Sequence, residues 1–204
     1  MKRRLIRGMT LVETLTAAVM TSLVFFGASL ALIAGTQSWL RGQSRIDAEA
    51  GAQRAMRVII GELRRAMAVT VNPDGSGGEV TQGISYRLPR VDAHGNYVTP
   101  AEWDGVSRTI EFVRRSGSDT GVIRMVAVHG GTRVERVIAR HVILTDPLSE
   151  GSDDVIRVFT PGPGTIIRQM TVTIATRTRA ARDETVDTRI RETVYLRNIP
   201  SLVN

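Results

Sequence analysis

Residues 9–40 read MTLVETLTAAVMTSLVFFGASLALIAGTQSWL, and Glu13 is the sole ionisable side chain among them. A bilayer is spanned by about 20 apolar residues. As a helix this stretch would reach roughly 48 Å at 1.5 Å per residue, against a hydrocarbon core of about 30 Å. A plain anchor has no use for that excess. A helix packed among other apolar helices uses it, because its whole length then meets apolar neighbours. Lys2, Arg3, Arg4 and Arg7 precede the stretch. The positive-inside rule therefore keeps the N-terminus cytoplasmic and exports the rest.

The net charge of +7 and the pI near 11.0 first point toward nucleic acid. Their distribution weakens that reading. Residues 1–8 hold four of the basic side chains and no acid, and the remainder carries 23 basic residues against 20 acidic ones. Lys2 is the only lysine, a skew of composition that implies no function. There is no cysteine, so disulfides, thiolate chemistry and Cys-ligated metals are excluded. An exported domain of this chain must be held by its own core.

Glu13 is the informative oddity. An acidic side chain at mid-bilayer costs on the order of 2.5–3.5 kcal/mol, less near the interface. Such a group needs a partner, and residues 9–40 contain no Lys, Arg or His. Cleavage after Gly8 would create one, the α-amine of Met9, in the same subunit or a neighbouring one.

The run KRRLIRG-MTLVE resembles the leader of type IV prepilins and type II secretion pseudopilins: a short basic leader, Gly before the cut, an apolar residue after it, Glu as the fifth mature residue, then a long apolar helix. The resemblance implies cleavage between Gly8 and Met9 by a prepilin peptidase of the membrane, and N-methylation of Met9 by the same enzyme. It implies that Glu13 pairs with a neighbour's N-terminus during assembly. The site would be the bacterial inner (cytoplasmic) membrane, crossed once, and then a pilus or pseudopilus. Met9 stands where major pilins most often have Phe, which points toward a minor subunit. No proline precedes Pro73, unlike many major pilins, and Gly27 and Gly35 are the weak points of the helix.

Two plainer readings compete. One is a secretory signal peptide cut after Ser29-Leu30-Ala31. The other is an uncleaved signal anchor carrying an unrelated exported binding module or enzyme. Neither accounts for a glutamate five residues after the glycine that closes a basic run.

From Arg41 the run becomes amphipathic. Ala52, Met56, Ile59, Ile60, Leu63, Ala66 and Met67 fall on one helical stripe, with Arg54, Arg57, Arg64 and Arg65 off it. Before Ala52 the stripe weakens, because Arg45 and Glu49 project onto the same face. Asn72-Pro73 stops the helix, so residues 9–71 would form one rod about 95 Å long. Residues 53–66, QRAMRVIIGELRRA, resemble the corresponding region of J-type minor pseudopilins and W-type minor pilins. So does the ending Tyr195-Leu196-Arg197-Asn198.

Residues 72–204 read as short β segments after a Gly-rich turn. Residues 109–113, 122–128 and 132–138 predict an antiparallel meander, with His129-Gly130-Gly131 at the second hairpin. Residues 155–159, 166–176 and 192–196 predict further strands, and 86–88 another. In 166–176, Met170, Val172 and Ile174 alternate with Thr171, Thr173 and Ala175, the pattern of a half-buried strand. Residues 97–106 read as loop. The expected architecture is α+β: leader 1–8, transmembrane or assembly helix 9–40, amphipathic helix 41–71 and a β-rich domain 72–204, the helix packed on an antiparallel sheet.

Catalytic groupings do not assemble. His94, His129 and His141 are scattered, without HExxH spacing, and no G-x-S-x-G elbow exists. The loop holding Asp146, Glu150, Asp153 and Asp154 has the oxygen ligands Ca²⁺ requires, and the resemblance adds that some pseudopilins bind it. EF-hand spacing is missing, so the loop reads as a solvated acidic turn. Arg177, Arg179, Arg182, Arg189 and Arg191, interspersed with Asp183, Glu184 and Asp187, read as an exposed hairpin arm. Without interleaved aromatics the arm is a poor single-strand DNA platform. The expected function is a non-enzymatic minor pilin or pseudopilin, free of cofactors, in a priming or tip complex. Its expected partners are the prepilin peptidase, other pilins or pseudopilins, the inner membrane, and DNA or an exported protein at the filament tip.

Overall fold

The computed structural model describes residues 10–72, 80–114, 118–145, 155–164, 167–179 and 185–196. Helix α1 covers Leu11–Arg65, and eight strands follow: β1 (Ala68–Asn72), β2 (Val80–Arg87), β3 (Ser107–Arg114), β4 (Thr120–His129), β5 (Thr132–Ile143), β6 (Phe159–Pro161), β7 (Gln169–Arg179) and β8 (Thr185–Tyr195). The chain divides into two units, Met1–Gln43 and Ser44–Asn204.

In the second unit, the end of α1 lies on an antiparallel sheet of order β1-β2-β3-β4-β5-β7-β6, with β8 paired to the other edge of β7. The expected stripe is the buried one: Ala52, Met56, Ile59, Ile60, Leu63, Ala66 and Met67 are all buried, and Arg54, Arg57, Arg64 and Arg65 are exposed. Ala48 extends the stripe one turn back, past Arg45 and Glu49, which stay exposed. The stripe meets Ile84, Tyr86, Ile110, Phe112, Ile123, Met170, Val172 and Ile174 in one core. The α+β layout expected from the sequence is the one the chain adopts.

The helix stops before residue 71. Its last turn tightens, with the Ala66 amide donating to Leu63 O at 3.2 Å, and the Met67 amide then donates to Arg87 O at 2.9 Å. Val69, Thr70 and Val71 continue as β1, paired to Tyr86, Ser85 and Ile84. Three β-branched residues in succession suit a strand better than a helix, and the neighbouring β2 supplies the ladder. Strand β2 is correspondingly longer than the 86–88 segment.

The meander β3-β4-β5 is as expected, with Ile110 and Phe112 on the buried side of β3. Its second hairpin turns on Gly130 (φ 54°) and Gly131 (φ 82°), both left-handed, as a two-residue turn between paired His129 and Thr132 requires. Farther along β5 the register against β4 shifts, and His141 takes φ 56°. The chain bends there, and Val142–Ile143 pair with Gly121 and Thr120 of β4 on one side and with Thr176 and Ala175 of β7 on the other.

Strand β7 is buried on both faces over residues 172–176, not on one. Residues 155–158, expected as strand, form instead a strap beside it, and only Phe159–Pro161 pair as β6. The Thr173 amide donates to Val158 O at 2.9 Å, and Ile156 packs with Ile143 and Ala175 on the face away from α1. The Gln82 side chain holds the strap from β2: its amide donates to Ile156 O at 3.2 Å, and its oxygen accepts from the Val158 amide at 2.6 Å.

Candidate functional site: the apolar start of helix α1

The first unit is helical from Leu11 onward, and its start is built by Thr10. The Thr10 hydroxyl accepts a hydrogen bond from the Glu13 amide at 3.3 Å. This is an N-cap, in a sequence with the Thr-x-x-Glu spacing of a capping box. The Glu13 carboxylate lies in the first turn, where the helix dipole favours negative charge. The charge of Glu13 by itself points to the Met9 amine, in the same subunit or a neighbouring one. The Thr10–Glu13 spacing was the available signal for a local role as well. Gly8 and Met9, the expected cleavage and methylation residues, lie outside the described residues.

Beyond the cap, large apolar side chains are exposed on all sides. Leu11 is 82% exposed, Phe25 70%, Phe26 65% and Trp39 67%, and Leu15, Val19, Leu23, Leu30 and Ile33 are also exposed. The helix is long and apolar enough to cross a membrane, and the chain itself buries none of its most apolar window. A helix apolar all round needs an apolar surrounding, either lipid or other helices.

The polar residues of this segment are arranged to suit that surrounding. Thr14 donates its hydroxyl to Leu11 O at 2.8 Å, Thr16 to Val12 O at 3.0 Å, Thr21 to Ala17 O at 2.8 Å and Ser22 to Ala18 O at 2.8 Å. Ser29 donates to Phe25 O at 2.8 Å and Thr36 to Ile33 O at 2.9 Å. These six hydroxyl protons are satisfied within the helix, and hydrocarbon imposes no further penalty on them. The helix runs without interruption through residues 29–31 and through Gly27 and Gly35.

No family model, curated protein or solved structure matches this chain. What stands is the architecture: one long N-terminal helix, apolar and exposed at its start, then packed on an antiparallel sheet.

The other candidate residues do not converge. His94 lies in the turn after Asp92, His129 at the end of β4 and His141 in the bend of β5. Among the described residues no cluster of His, Asp and Glu could hold a metal. Asp146, Glu150, Asp153 and Asp154 lie outside the described residues. In the β7–β8 arm, Arg177 donates twice to Asp187, at 2.9 Å each, across directly paired positions. That bridge raises the guanidinium's already high pKa despite partial burial. The pair fixes register, a contribution that spacing alone did not disclose.

Proposed function

We propose that this chain is a minor pilin or pseudopilin subunit, cut after Gly8, methylated at Met9 and assembled into a type IV pilus or type II secretion filament through residues 9–40. The observation that carries the reading is the contrast within α1. Its second half is buried by the chain's own sheet, whereas its first half exposes apolar side chains on all sides. A simple anchor also exposes such a surface to lipid. The basic leader, Gly8 and Glu13 favour assembly over anchoring, because only a bundle of like helices offers Glu13 a neighbour's α-amine. In a low-dielectric bundle each of those charges would be costly alone. The prepilin peptidase, other pilins and the inner membrane are the partners this reading requires. A priming or tip position fits the departure at Met9.

Mass spectrometry of the N-terminus in membrane-extracted protein tests this directly. The expected mature chain starts at a methylated Met9, and Gly8→Val leaves the precursor uncut. A start near Leu32, or an intact Met1, overturns the proposal.

A further inference from the structure

The face of the β7–β8 pair away from α1 carries a polar cavity of about 290 Å³. Residues directly paired across two strands project from the same face. Thr173 is paired with Arg191 and Ala175 with Arg189, so the β8 wall carries Arg191 beside Arg189, which already has a partner of its own. The opposite wall is the strap of residues 155–158, held against β7 by Thr173 and Ile156, and it contributes Arg157. Thr173 and Thr160 also line the cavity.

The charge here is unusual in its partners. The nearby pair on this face, Arg177 and Asp187, is closed on itself in a two-point bridge. Among the described residues Arg157 and Arg191 have no ion pair, and the hydroxyls of Thr160 and Thr173 have no hydrogen-bond partner. Arg157 comes from a segment distant in sequence from Arg191, so folding brings like charges to one cavity, and no carboxylate among the described residues lines it.

We propose that this cavity binds a phosphate-class oxyanion. Guanidinium forks match the spacing of phosphate oxygens and bind them in bidentate pairs. The threonine hydroxyls add neutral donors of the kind a tetrahedral anion with several acceptor oxygens uses. Among the described residues no aromatic side chain lines the cavity, so none of them offers stacking to a nucleic-acid base. The shared chemistry is a small phosphate group. It has two sources: free phosphate, and the headgroup of a phospholipid, the second resting on the membrane location proposed above.

The test uses the full chain in uncharged detergent micelles. Inorganic phosphate and glycerophosphoglycerol are titrated by calorimetry, with sodium chloride at matched ionic strength as reference. Saturable binding is expected, weakened at least about tenfold in the double variant R157Q/R191Q. Thr160→Val removes a donor and no charge, and should weaken binding by about three- to tenfold, with unchanged circular dichroism as the check on folding. Tighter binding of the diester assigns the site to a headgroup, and tighter binding of inorganic phosphate assigns it to free phosphate. Heat that chloride reproduces, or equal affinity in the double variant, overturns the proposal.

Discussion

The Tyr86 hydroxyl of β2 donates to the Glu62 carboxylate of α1 at 3.2 Å, joining the sheet to the helix at the edge of their shared core. The Tyr86 ring is buried, and Glu62 also lies 3.9 Å from Arg65. Burial first, then the charge of Glu62 and its hydrogen bond, push the phenol pKa well above its ordinary value. The folded state thus favours the protonated phenol. Its contribution is fully present below the unfolded value of about 10 and is lost as pH rises beyond it.

Tyr86→Phe keeps the ring and removes the bond. Stability at neutral pH should fall by about 1–2 kcal/mol, read from denaturant midpoints. The variant should also lose less stability than wild type on moving from pH 9 to higher pH. Parallel alkaline limbs in the two proteins would show that this phenol is not the titrating group.

Gly121 tests the close approach of β4 to β3. A Cβ there would sit 2.3 Å from Val113 O and 2.6 Å from the Phe112 ring. Phe112 is buried in the core. Gly121→Ala should cost about 2–3 kcal/mol through forced shifts in β3. Gly61 is the internal control, since a Cβ there meets nothing within 4 Å. In that helical position Gly61→Ala should stabilise by about 0.5–1 kcal/mol. Thermal melts of both variants decide the matter, and equal shifts would contradict the steric account.

The helical stripe was legible because burial on one side leaves a clear period, from Ala52 to Met67. The meander was legible because Gly130 and Gly131 punctuate it and Ile110 and Phe112 alternate. What escaped was set by tertiary pairing. Residues 68–72 prolong the helical run without a Gly or Pro to end it, and their β-branched residues become a strand because the neighbouring β2 supplies the ladder. Thr173 and Ala175 look like the solvent side of a half-buried strand, until the strap lies beside them, with Ile156 against Ala175 and Val158 O bonded to the Thr173 amide. At the candidate site, the apolar run and Glu13 were plain in the sequence. The cap by Thr10 required reading the same glutamate as a local helix residue.

The division at Gln43 and Ser44 gives a further expectation. Residues 43–204, expressed alone, should be soluble and monodisperse, with mixed helix and strand signal by circular dichroism. Starting the chain at residue 66 instead removes Ala52, Met56, Ile59, Ile60 and Leu63 from the core and uncovers the sheet. That shorter chain should aggregate, because the uncovered face would be a contiguous apolar patch. A soluble, cooperatively folding 66–204 would show that the helix is not part of the domain's core.

Glu13 has two separable roles, and substitution distinguishes them. The cap uses the Glu13 backbone amide and the Thr10 hydroxyl, so it survives any side-chain change at position 13. Thr10→Val removes the cap and keeps the charge, costing about 1 kcal/mol of local helix stability. Glu13→Gln keeps the side-chain shape and removes the charge, whereas Glu13→Val removes both, and each leaves the Thr10 cap in place. If the carboxylate compensates a neighbour's Met9 amine, Gln and Val should lower incorporation into sheared filaments or partner-pilin complexes to a similar extent, with membrane insertion and leader cleavage intact. Asp should fall between them and wild type, because its charge remains with a shorter reach. Thr10→Val should then assemble better than either. If Glu13 serves only the helix start, Gln should lose no more than the small dipole contribution of its charge, and Thr10→Val should be the more damaging change. Co-purification scored against total membrane-bound protein reads this order, and a Gln variant that assembles normally removes the charge-pairing role.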